Sequence, residues 1–114
     1  MAVSFKKNIW TQHSLLKMRQ YGLSKNKVLG ILSRPEREES GIAPGTIAVM
    51  KTNKARRRKP PGEIWLMYKD ILRRGLLQER KIISCWRYPG VSKPGEEIPI
   101  PEEIRRELLK NNDF

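Results

Sequence analysis

One cysteine, one histidine and twelve acidic residues are all that this chain of 114 residues offers of the groups that build disulfides, metal sites and acid–base pairs. A lone Cys85 cannot close an internal disulfide, so nothing requires an oxidising compartment. His13 and Cys85 together fall short of an ordinary zinc ligand set, and no metal is expected. The chain also lacks a glycine-rich phosphate loop, a dinucleotide fingerprint and an internal repeat, so no cofactor is expected. No apolar run approaches the length of a bilayer span. The opening Met1-Ala2-Val3-Ser4-Phe5-Lys6-Lys7 lacks the apolar core of a signal peptide. The expectation is a cytoplasmic protein with no membrane partner.

What the chain has in excess is positive charge. Lys and Arg number 24 against 12 Asp and Glu, a formal net charge of +12. The imbalance is uneven: residues 1–93 carry 21 basic and 6 acidic side chains, whereas residues 94–114 carry 3 and 6. Such a field draws polyanions and speeds their capture, so nucleic acid is the expected partner, RNA before DNA. The alternative is a charge that merely keeps the protein soluble.

The hydrophobic pattern divides the chain. Thr11 is a candidate N-cap for a helix through Gln20, with Leu15, Leu16 and Met18 on its apolar face and Gly22 as its stop. Ser24 opens a second helix carrying Val28, Leu29, Ile31 and Leu32, which Pro35 ends. Residues 36–45 are polar turn formers. Three extended runs follow, from Thr46 to Lys51, Glu63 to Lys69 and Lys81 to Arg87, the last two joined by residues 71–79, long enough for a loose hairpin or a helical turn. Pro101 starts a last short helix, with Glu102 and Glu103 suited to its first turn and Ile104 and Leu108 on one face. The expected fold is α+β: an N-terminal helical hairpin packed on one face of a small antiparallel sheet, with a short C-terminal helix. Its divisions are a domain over 1–93 and a Pro-rich acidic extension over 94–114.

The run Trp10-Thr11-Gln12-His13-Ser14-Leu15-Leu16-Lys17-Met18-Arg19-Gln20-Tyr21-Gly22-Leu23-Ser24 resembles the opening of an uncharacterised family, number 4258 among the domains of unknown function. The features that carry the resemblance are His13, Lys17-Met18 and the Gly22-Leu23-Ser24 corner. Arg80-Lys81-Ile82-Ile83-Ser84-Cys85-Trp86-Arg87-Tyr88 resembles that family's final strand. The likeness spans about residues 8–34 and 46–90, a pattern match with loose ends. That family is similar in expected fold to the RelE and BrnT toxins of bacterial toxin–antitoxin pairs. The resemblance implies a RelE-like fold and, more distantly, a metal-independent endoribonuclease acting on RNA, free or on the ribosome. It also implies an acidic antitoxin as partner. The very basic segment 52–62 and the tail 94–114 lie outside the pattern.

Six cations, Lys51, Lys54, Arg56, Arg57, Arg58 and Lys59, fall within nine residues. Their mutual repulsion favours an anionic partner, and a phosphate backbone fits, with Trp65 or Tyr68 as a base-stacking surface. The plain reading of the same run is a solvated loop. His13 is either a general base toward a ribose 2′-hydroxyl or a structural histidine at a helix start. Arg87 and Tyr88 are either the late Arg and Tyr that RelE-like toxins use, binding phosphate and moving a proton, or a sheet-edge cation and a packed ring. Cys85 sits in an apolar strand pattern and reads as a small buried hydrophobe. The expected function is therefore endoribonuclease of the toxin type, with RNA clamped across the sheet. Alternatives are a non-catalytic nucleic-acid-binding module or a protein-interaction domain.

Overall fold

A single hydroxyl starts the first helix and pins it to the sheet. The structure, a computed structural model, describes residues 7–53, 61–112 and 114. Thr11 Oγ1 accepts from the amide of Ser14, and donates to the carbonyl of Ile82 at 3.0 Å. Helix α1 runs Gln12–Tyr21 and closes on Gly22 in the left-handed region. Ser24 caps α2, Lys25–Ser33, in the same way through the amide of Lys27. These hydroxyl caps satisfy amides that a helix start otherwise leaves unpaired.

The strands are β1 (Lys7–Trp10), β2 (Arg37–Ser40), β3 (Thr46–Asn53), β4 (Gly62–Arg73) and β5 (Leu76–Tyr88), and α3 (Glu102–Asn111) follows. They form one five-stranded sheet in the order β1-β5-β4-β3-β2. Strand β1 runs parallel to β5, and every other pairing is antiparallel. Alternation along β4 sorts its residues to two faces. Ile64, Leu66 and Tyr68 meet Met18, Leu23, Val28 and Ile31 of the α1–α2 side. Trp65 and Met67 meet Ile98, Ile104 and Leu108 of the C-terminal segment. Along β5 the alternation slips, because Tyr68 pairs with Ile82 and Met67 with Ser84. Ile83 is the extra residue of this bulge, which sends Ile82 and Cys85 to one core and Ile83 and Trp86 to the other.

The class is α+β, but the expected small antiparallel sheet under an N-terminal hairpin is corrected in three respects. The sheet has five strands and is mixed, because a strand precedes the helices and joins β5 in parallel. The polar stretch 36–45 contains β2. Of the two forms expected for 71–79 the structure has the hairpin, with strand on both sides of a turn at Arg74 and Gly75. Finally, the helices lie on both faces, so the tail closes a second core. Ile104 and Leu108 are fully buried there against two fully buried tryptophans.

Candidate nucleic-acid interface

Cross-strand register brings distant cations to one end of the sheet. Lys51 of β3 pairs with Ile64 of β4, and Ile64 pairs with Arg87 of β5. Paired residues share a face, so Lys51 and Arg87 flank Ile64 at two strand spacings, about 10 Å. Arg34, the C-cap of α2, leads into the same end: the amide of Glu36 donates to the carbonyl of Met50, and the Glu36 carboxylate accepts from the amide and hydroxyl of Thr52. Gly62 sits where β4 begins beside the end of β5. A Cβ there would lie 2.9 Å from the carbonyl oxygen of Tyr88, so only glycine permits this approach. Lys54, Arg56, Arg57, Arg58 and Lys59 lie outside the described residues, in the segment that joins β3 to β4 at this end.

Most carboxylates near the sheet are committed to internal contacts. Glu63, 2 % exposed, accepts from Trp65 Nε1 at 3.0 Å and from the amide and hydroxyl of Ser92. Arg37 lies over the Trp65 ring and donates to the Ser92 carbonyl and hydroxyl, while its Nε pairs with Glu39 at 3.0 Å. Asp70 binds Arg80 through both oxygens. Glu97 is paired with Arg105, and Glu107 with Lys17. Arg34 and Lys51 are exposed and form no ion pair among the described residues. The Glu63–Arg37–Ser92 network carries no sequence motif, because its members are separated by 26 and 29 residues.

The residues read as catalytic are engaged in the fold. His13 Nε2 lies 2.9 Å from Oγ of Ser84, a fully buried serine on β5. The outer side of His13 lines a cleft of about 360 Å³ with Gln12, Leu16, Glu107 and Asn111. Arg87 donates through Nε to the carbonyl of Tyr21, 2.8 Å away, where the last carbonyls of α1 lack helical partners. Tyr88 pairs with Glu63 and is half-buried on the opposite face from Arg87. His13 meets β5 three residues before Arg87, about 10 Å along the strand. The structure therefore brings Arg87 and Tyr88 to the end of the sheet that carries Lys51, and leaves His13 apart from them.

Two other expectations about the interface are corrected. Trp65 and Tyr68 are 0 % and 5 % exposed, so neither presents a face for base stacking. Helices cover both sides of the sheet, so nucleic acid has no open sheet face to lie across. Cys85 is fully buried; burial pushes its thiol up to about 12, against a smaller opposing pull from Arg87 and Lys17. It stays protonated and unreactive at neutral pH. Among the described residues no group of three or more His, Cys, Asp or Glu side chains is placed to hold a metal ion, and no helix is long and apolar enough to cross a membrane. Compared with known protein families, curated proteins and solved structures, the chain matches none.

Proposed function

We propose that this protein is a basic nucleic-acid-binding module, with RNA as the first ligand to test. The observation that carries the reading is the sheet end at which Lys51 and Arg87 flank Ile64, where the chain following Arg34 joins β3 through Glu36 and Met50. The segment holding the other five cations of the basic run departs from that end. Arg34, Lys51 and Arg87 outnumber Glu36, the exposed carboxylate bonded to Thr52 beside them, so cations prevail at this end. A phosphate backbone is the ligand such a field selects, through release of the counterions condensed on it. Gel-shift titration over a range of salt concentrations tests it. Log affinity falls linearly with log salt, and each phosphate-contacting Lys or Arg replaced by Ala lowers the slope by about 0.7 on single-stranded RNA. Binding that ignores salt, or that survives replacement of Arg34, Lys51 and the five cations of 54–59, overturns the reading.

A second reading is the endoribonuclease of the RelE or BrnT type, toxin half of a pair with an acidic antitoxin. It is favoured by the arrival of Arg87 and Tyr88 at the same basic end. It requires substrate to reach from Arg87 to His13, because these side chains do not converge on one atom. The same gels decide it. Fragments ending in a 2′,3′-cyclic phosphate, lost in His13→Ala, support cleavage, and a salt-dependent shift of intact RNA leaves the binding module alone.

A further inference from the structure

The β4–β5 hairpin outruns its neighbours. Lys69 is the last residue of β4 to pair with β3, opposite Thr46. Glu79 is the first residue of β5 to pair with β1, opposite Lys7. Among the described residues, 70–73 and 76–78 therefore pair only within the hairpin. Among the described residues the pairs Leu72–Leu77 and Arg73–Leu76, with the turn, form a two-stranded ribbon that reaches about 7–10 Å beyond the sheet. A bulge between Ile71 and Leu72 adds twist, and Arg73 faces Leu76 across a two-residue turn. Arg74 and Gly75 fill that turn with φ of 54° and 75°, the double left-handed geometry that suits the right-handed twist of a hairpin.

The chemistry of this ribbon is unusual for a solvent-facing element. Leu72 and Leu76 are 59 % and 66 % exposed at its tip. Arg73 and Arg74 are exposed beside them and make no ion pair among the described residues. At its base Lys69 and Lys81 stand directly opposite each other, a like-charge pairing that is unfavourable without an anion nearby. Lys81 reaches the Phe114 carbonyl at 3.2 Å, and Arg80 is taken up by Asp70. A ribbon with two exposed arginines at an apolar tip and two lysines in the sheet behind it is complementary to a polyanion that also offers apolar surface.

We infer that the β4–β5 ribbon enters the major groove of B-form duplex DNA, an inference that rests on the nucleic-acid reading above. That groove is about 12 Å wide and 8.5 Å deep, and it admits a two-stranded ribbon. The ribbon's projection matches that depth, so its tip approaches the base edges while Lys69 and Lys81, in the sheet behind it, stay near the phosphates. Arg73 and Arg74 supply donors for phosphates and for purine acceptors, and Leu72 and Leu76 supply apolar contact for thymine methyl groups. An A-form RNA duplex presents a deep, narrow major groove that excludes side chains, so the ribbon favours DNA among duplexes.

The test is fluorescence anisotropy with three labelled probes: a short DNA duplex, an RNA duplex of the same sequence and single-stranded RNA. Parent protein binds the DNA duplex more tightly than the RNA duplex. Combined Arg73→Ser and Arg74→Gly weakens DNA binding about tenfold or more and lowers the salt slope by about 1.8. Combined Leu72→Ser and Leu76→Ser reduces the preference for DNA over RNA and leaves the slope unchanged. All four side chains are exposed, so circular dichroism of the variants stays parental and none melts below the parent by more than a degree or two, which keeps loss of fold from confusing the result. Equal affinity for the two duplexes, or parental DNA binding by the arginine variant, overturns the inference. Single-stranded RNA binding that is lost in Lys51→Ala while the ribbon variants behave as parent sinks this inference alone. Absence of salt-sensitive binding to all three probes removes the nucleic-acid reading with it.

Discussion

Trp65 of β4 and Trp86 of β5 stand opposite each other and stack, with ring planes 6° apart and centroids 6.2 Å apart. Both rings are fully buried, and the side chains that complete their cover come from the last seventeen residues: Ile98, Ile104 and Leu108. The acidic tail is thus structural on this face. Leu108→Ala removes cover from the pair and is expected to cost about 2–5 kcal/mol, the range for a leucine truncated in a packed core. Tryptophan emission shifts to the red as water gains access. Urea unfolding followed by that emission checks it, and a parental midpoint would show that the tail is dispensable to the core.

Lys17 provides a second link between the helical layers. Its Nζ, in a side chain 2 % exposed, lies 2.9 Å from Glu107 Oε1 of α3 and 3.1 Å from Gln20 Oε1. The partners are unequal, because Glu107 is 38 % exposed. Glu107→Gln strands a buried ammonium among neutral partners and should cost about 3–5 kcal/mol. Lys17→Met leaves a carboxylate that is 38 % exposed and can turn to water, and its cost is expected to be smaller. Equilibrium unfolding of the two variants side by side decides the matter: equal losses would refute the asymmetry.

The parts of the fold that were legible in the sequence are those decided by local chemistry. Thr11, Gly22 and Ser24 mark the α1–α2 corner because caps act over three or four residues. The centres of β3, β4 and β5 show in their apolar content. Strands β1 and β2 do not, since Lys7-Asn8-Ile9-Trp10 and Arg37-Glu38-Glu39-Ser40 are strands by virtue of their partners rather than their composition. The Ile83 bulge hides the alternation of β5, and Arg74-Gly75 lacks the Asn or Asp that announces a tight hairpin turn. The site follows the same division. A run of cations is visible in the chain, whereas the meeting of Lys51 with Arg87, 36 positions away, depends on cross-strand register.

Arg74 stores strain in that turn. It is a non-glycine residue at φ 54°, where a Cβ crowds the following carbonyl. Arg74→Gly is expected to raise stability by about 0.5–1 kcal/mol, the relief of the left-handed penalty less the entropy of an added glycine. Gly75→Ala at φ 75° moves stability the other way by a similar amount. Thermal melts of both variants check the pair of signs. A destabilised Arg74→Gly would mean that the arginine side chain, rather than the turn geometry, holds the hairpin closed.

Cys85 gives the protein a built-in sensitivity to alkali. Its thiol ionises at about 12 in the folded chain, against a reference of 9.0, chiefly because burial disfavours the thiolate. An acid whose folded value is raised stabilises the fold fully below its unfolded value, and this contribution disappears as pH climbs toward the folded one. The window is therefore pH 9 to 12, with a slope that approaches about 1.4 kcal/mol per pH unit as the unfolded thiol becomes fully ionised. Burial also raises the hydroxyls of Tyr21 and Tyr68, so the total fall above pH 10 has more than one source. Comparison with Cys85→Ala isolates the thiol: the parent's stability advantage over the variant should be constant from pH 7 to 8.5 and shrink steadily above 9. Urea unfolding of both proteins across that range provides the measurement. Parallel curves through pH 11 would mean that the thiol ionises as readily in the fold as out of it, and that Cys85 is not sealed between β4 and the α1–α2 layer.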